Sequence, residues 1–127
     1  MSDFLKLFGE QISKEMPGFL AISIVDVKSG NLYYSKKAKK DFDLENASRF
    51  SLEIVRTQLN SNDFLKLNQN IDDITITLSS QFQFLKVSDN NGYFIFLVVD
   101  STKANMAFTK ALFNKNVMEI SKMLNSK

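Results

Sequence analysis

Carboxylates carry most of the chemistry on offer in this 127-residue sequence, which contains neither histidine nor cysteine. Asp26, Asp72, Asp73, Asp89 and Asp100 are the candidates for general acid–base work or for a hard cation with oxygen ligands. Each stands at the end of a strand-like run or in a turn cluster, where a carboxylate also satisfies loose backbone N–H groups, so turn formation is the expected role. The Asp72-Asp73 doublet would send its side chains to opposite faces of a strand, which argues against a shared two-carboxylate centre. Without Cys there is no disulfide, zinc-thiolate site or thiol nucleophile, and without His the commonest general base and metal ligand is gone. Serine and threonine hydroxyls are frequent, but a hydroxyl nucleophile needs an activating base. Only Lys and carboxylates remain for that task, and no spacing singles one out. Gly9, Gly18, Gly30 and Gly92 are scattered singly, so neither a phosphate-binding loop nor a dinucleotide fingerprint is present. The sequence predicts no catalytic residue, no cofactor and no metal.

Basic residues offer a second kind of chemistry, which is docking. Lys36, Lys37, Lys39 and Lys40 crowd a linker, and such a run is either a solvated loop or a contact for an acidic protein surface, phospholipid or phosphates. The whole chain has 16 Lys and Arg against 14 acidic residues, a net charge of +2 that is too balanced for nucleic acid as the main partner. Phe82, Phe84, Phe94 and Phe96 fall on both parities of buried-looking strands with only Lys86 interleaved, unlike a base-stacking platform. The length fits one compact domain over residues 1–127, enough to bury roughly 65% of the unfolded surface. The longest apolar candidate, Tyr93 to Val99, is far short of the ~20 residues of a membrane span. Met1-Ser2-Asp3-Phe4-Leu5 lacks the basic start and cleavage site of a signal peptide, so a cytoplasmic location is expected.

The elements that would position these groups follow from periodicity. Phe4, Phe8, Ile12 and Met16 recur every four residues with Leu5 beside them, which predicts a helix capped by Ser2 or Asp3 and ended by Pro17-Gly18. Phe19 to Val27 and Leu32-Tyr33-Tyr34 flank the turn Lys28-Ser29-Gly30-Asn31, a hairpin signature. A second helix is expected over about Leu44 to Leu59, with Asp43 as its cap. Three strands follow. Ile71 to Leu78 alternates Ile74, Ile76 and Leu78 with Thr75, Thr77 and Ser79, Phe82 to Val87 comes next, and Tyr93 to Val99 is apolar on both parities, as in a central strand covered on each side. Asp100, Ser101 or Thr102 caps a last helix, Lys103 to Leu124, whose core stripe is Met106, Thr109, Phe113, Val117, Ile120 and Leu124. The order is α-ββ-α-βββ-α, an α+β sandwich.

The second helix is the most informative element. On a wheel its apolar residues Phe50, Ile54, Ala47, Leu44, Val55, Leu59 and Leu52 span about 200°, roughly twice what one sheet face covers. Phe50 and Ile54 on one flank, or Leu52 and Leu59 on the other, are therefore expected to meet something beyond the domain's own sheet.

Two segments then carry a resemblance that spans nearly the whole chain. Ala21-Ile22-Ser23-Ile24-Val25-Asp26 precedes the Ser29-Gly30 turn, and Val98-Val99-Asp100-Ser101-Thr102-Lys103-Ala104-Asn105-Met106-Ala107 opens the last helix. With the order of elements, they resemble the Roadblock dynein light-chain family. The resemblance implies a five-stranded antiparallel sheet with helices on its faces, a profilin-like arrangement. It also implies a two-fold dimer, of two identical or two similar chains, in which the middle helices pack together and the third strands join two sheets. Leu44, Ala47, Phe50, Ser51, Ile54, Ile74, Ile76 and Leu78 are the implied contact residues. Bacterial members of that family commonly act on or beside small Ras-like GTPases, so the resemblance implies a non-enzymatic adaptor or GTPase regulator. A function of another class stays open, a small-molecule-sensing domain in which Phe82, Phe84, Tyr93 and Phe96 line an apolar cavity.

Overall fold

The computed structural model describes residues 2–125, apart from the side chain of Ser2. Its elements run α1 (Ser2–Glu15), β1 (Phe19–Asp26), β2 (Leu32–Lys37), α2 (Leu44–Phe64), β3 (Ile74–Thr77), β4 (Gln81–Val87), β5 (Tyr93–Asp100) and α3 (Met106–Asn125). The strands form one antiparallel sheet in the order β2-β1-β5-β4-β3. The expected order of elements and the five-stranded sheet are both present.

Alternation along β5 divides the core in two. Tyr93, Ile95, Leu97 and Val99 face the layer of α1 and α3, where they meet Leu5, Phe8, Ile12, Phe113, Val117 and Ile120. Phe94, Phe96 and Val98 face the opposite layer, covered by Leu44, Leu52 and Val55 of α2. β5 is the middle strand and buried on both faces, as its unbroken apolar run requires.

Several boundaries differ from expectation. α2 continues to Phe64 through Asn60-Ser61-Asn62-Asp63, because these residues cost a helix only about 0.5 kcal/mol each and no Gly or Pro interrupts them. It stops where Lys66 turns left-handed at φ 54°, with Lys66 N–H donating to Asp63 O and Leu67 N–H to Asn62 O. α3 begins at Met106 and Asn105 caps it, its side-chain oxygen accepting from Phe108 N–H at 2.9 Å. Asp100 instead accepts from the backbone N–H and hydroxyl of Thr102 and closes a turn. β3 has four residues rather than eight, and β2 runs on to Lys37. Asp3 lies inside the first turn of α1, and the cap expected of Ser2 rests on a side chain outside those described.

Two glycines are set by close approaches. A Cβ on Gly9 of α1 would lie 1.9 Å from the Tyr34 hydroxyl, so β2 packs its ring where only glycine leaves room. Gly18 turns the chain from α1 into β1 at φ +73°, with Asp100 N–H donating to its carbonyl and Asp100 O 2.8 Å from a built Cβ. Gly18→Ala is expected to cost about 1–3 kcal/mol, read as a fall in the denaturant midpoint at unchanged slope.

Candidate interaction surface

α2 is anchored along one flank only. At its start, the Asp43 side chain accepts from Asn46 N–H at 3.1 Å, and the bonds from Asn46 hold the Asp43 carboxyl below the usual carboxylate range. The hydroxyls of Ser23 in β1 and Ser48 in α2 share a buried hydrogen bond of 2.8 Å. Leu52 reaches over Gly30 in the β1–β2 turn. Further along, Arg56 donates from Nε to Val27 O and from Nη2 to Lys28 O, both at 2.9 Å, and Glu53 stands 3.7 Å from its other amine. The contacts of Ser48, Leu52 and Arg56 lead to β1 and its hairpin, so the helix leans on the β2-β1 half of the sheet.

The opposite flank, facing the β4-β3 half, has no such cover. Phe50 is 72% exposed, Ile54 39% exposed and Ala47 half-buried. Beside it, Ile74 and Ile76 of β3 are only partly buried against the α2 layer, Leu78 is 47% exposed, and the far edge of β3 has no neighbouring strand among the described residues. An apolar helix flank thus runs beside an open sheet edge. Of the two flanks weighed from the sequence, Leu52 is buried and Leu59 packs on the core, which leaves Phe50 and Ile54 as the uncovered pair. Leu44 and Ser51 are buried within the chain and lie behind this surface rather than on it, because they fall at the centre of the arc against the sheet.

The four lysines do not form one linker patch. Lys36 and Lys37 are the last residues of β2, opposite Ile22 and Ala21, and the pleat sends them to opposite faces. Lys37 donates to Phe42 O at 2.9 Å, near the start of α2, so only Lys39 and Lys40 stand in the turn itself. The aromatic quartet is divided in the same way: Phe84 and Tyr93 belong to the α1–α3 layer with Phe82 packed against it, while Phe96 belongs to the α2 layer. One cavity cannot be lined by all four.

Four of the five aspartates singled out by type, Asp26, Asp72, Asp73 and Asp100, have a local task. Asp72 pairs with Lys86 at 3.1 Å and Asp73 with Lys110 at 3.4 Å, so the doublet is separated into two ion pairs. No group of three or more acidic residues able to hold a metal lies among the described residues. Asp26 accepts from Tyr33 O–H and from the backbone N–H and hydroxyl of Ser29. The Tyr33 bond, then those from Ser29, lower the Asp26 carboxyl, and the same bond pushes the Tyr33 hydroxyl up to about 12. The Asp26 contribution is present above the usual value of 3.8 and is lost as pH falls through its lowered pKa. The Tyr33 contribution is full below 10.0 and is lost as pH rises through about 12. Asp26→Asn is expected to move one phenolate absorbance step from about 12 back towards 10.

This architecture, a β2-β1-β5-β4-β3 sheet with α2 on one face and α1 and α3 on the other, is a Roadblock-like fold. MglB from Myxococcus xanthus superposes with a TM-score of 0.84 over 98% of both chains at 10% identity. An MglB with a tetrameric arrangement covers 98% of this chain and 90% of its own at 13% identity, TM-score 0.80. A Roadblock/LC7 domain from Streptomyces avermitilis covers 93% of this chain and 95% of its own at 8% identity, TM-score 0.76. No family model matches the sequence, and no curated protein sequence matches it significantly. Among the described residues, no helix is long and apolar enough to cross a membrane.

Proposed function

We propose that this chain is a non-enzymatic, cytoplasmic adaptor that works as a two-fold dimer and binds a small Ras-like GTPase. The observation that carries the reading is the uncovered apolar flank of α2, Phe50 and Ile54 with Ala47, beside the unpaired edge of β3 with Ile74, Ile76 and Leu78. An open strand edge next to exposed Phe and Ile is a template for aggregation unless it is paired. A two-fold axis through this region pairs it with itself: α2 meets α2, and β3 meets β3 to continue the sheet. The tetrameric arrangement of a similarly folded MglB supports self-association.

The GTPase partner rests on the Roadblock-like fold together with the family resemblance of the sequence. Any effect on hydrolysis comes from repositioning the GTPase's own groups. Arg56 is committed to Val27 and Lys28, and both it and Arg49 lie on α2, the helix proposed for the dimer contact, so neither is assigned as an arginine finger. Lys39 and Lys40, with Lys37 beside them, are the docking residues for an acidic partner surface. Light scattering on a sizing column across a wide concentration range tests the dimer. Binding of Ras-like GTPases from the same genome, loaded with GDP or a GTP analogue, tests the partner. Lys39→Glu/Lys40→Glu is expected to slow association about tenfold and flatten its salt dependence, with dissociation little changed. A strict monomer that binds no GTPase in either nucleotide state overturns the reading.

A further inference from the structure

The outer ridge of α1 carries a charge order that no ion pair among the described residues uses; Asp3, Lys6 and Lys14 are exposed, and Glu10 is half-buried with its charge acting on the Tyr34 hydroxyl. Asp3, Lys6, Glu10 and Lys14 lie within about 80° of one another on the helix, with Leu7 beside them and 65% exposed. Lys6 and Glu10, and Glu10 and Lys14, are four residues apart, the spacing of an intrahelical pair. None of the four makes an ion pair among the described residues.

Their signs run minus, plus, minus, plus, and this order is its own complement when reversed. Laid antiparallel on a second α1 about an axis near Phe8 and Gly9, Asp3 meets Lys14, Lys6 meets Glu10, and the two remaining pairs repeat them by symmetry. A parallel arrangement in the same register places like on like. Next to the ridge, α1 and α3 enclose a largely apolar groove of about 200 Å³ whose lining includes Phe4, Leu7, Phe8, Ile120 and Met123 and one charged residue, Glu119.

We infer that α1 is a second self-association face, on which two copies of this chain pack α1 against antiparallel α1. The occupant is another copy because the charge order selects it. Exposed ion pairs add little affinity but reject the wrong direction and register, while Leu7 and the groove supply apolar area. The face lies on the opposite side of the sheet from Phe50 and Ile54, so both contacts can form at once. Two isologous contacts per chain build either a closed tetramer or an open string of dimers.

The test uses the full chain and light scattering. Lys6→Glu and Glu10→Lys are each expected to reduce the largest assembly to the α2 dimer, half the mass of a closed tetramer, because each turns two attractive pairs into repulsive ones. An equimolar mixture of the two variants, and the double variant Lys6→Glu/Glu10→Lys, are both expected to restore it, since Glu then faces Lys again. The inference is overturned if the single variants keep the wild-type mass, or if neither the mixture nor the double variant regains it. Misfolding cannot imitate recovery on mixing. Ile54→Glu probes the α2 contact separately, so failure of one contact is distinguishable from failure of the other.

Discussion

Ile54→Glu is expected to break the α2 contact and halve the mass of the assembly it supports, while the chain stays folded. Ile54 is 39% exposed and stands on the flank of α2 without a covering neighbour, so in a single chain the new carboxylate remains in water. In the proposed dimer the same carboxylate would be buried against apolar groups without a counter-charge, a cost of several kcal/mol. A loss of that size shifts a dissociation constant by at least about a hundredfold. Val55, one residue on and fully buried, is the internal control: Val55→Glu should unfold the chain instead. Early unfolding of Ile54→Glu at wild-type mass would show that Ile54 is core and that the open flank is misassigned. Phe50→Ala should weaken association as well, since Phe50 is 72% exposed on that flank.

A large effect of side-chain truncation on folding is expected at Phe84. Its ring is 1% exposed, meets Phe82 edge to face at 6.2 Å and 61°, and lies 6.2 Å from Phe113 of α3. It therefore joins β4 to the α3 layer, and its loss leaves a cavity that the sheet cannot close. Phe84→Ala should cost about 3–5 kcal/mol, a large part of the 5–15 kcal/mol typical of a domain. Denaturant unfolding at one fixed protein concentration measures it, because dimer formation otherwise moves the midpoint by mass action. A change below about 1 kcal/mol would mean that α3 does not pack where Phe84 and Phe113 place it.

Most of the architecture could be read from periodicity. Phe4, Phe8, Ile12 and Met16 lie on the buried side of α1 or beside it, and Thr109, Phe113, Val117 and Ile120 form the buried stripe of α3. The pleat of Ile74, Ile76 and their threonine neighbours places one face inward. Boundaries were harder where chemistry and geometry compete. Asn60 to Asp63 have the composition of a loop yet remain helical, and Asn105 rather than Asp100, Ser101 or Thr102 satisfies the free N–H groups of α3. Arg56 reads in sequence as a surface charge on an amphipathic helix. Its clamp on Val27 and Lys28 spans 28 to 29 residues, a separation that no local pattern encodes.

By itself the sequence determined the order of elements, the central place of the doubly apolar β5, the absence of histidine and cysteine chemistry, and the excess apolar width of α2. Those properties are local, because side-chain type and spacing of two or 3.6 residues settle which face is wet. The tertiary structure decided which flank of α2 remains open, since that depends on Ser23, Gly30 and Val27 drawing the helix towards β1. It also decided that β2 runs on to Lys37, so that Lys36 and Lys37 are strand rather than linker, and that Phe84 and Phe96 lie on opposite faces. Each is a question of where a strand sits beside its neighbours, and sheet register brings together residues that the sequence keeps far apart.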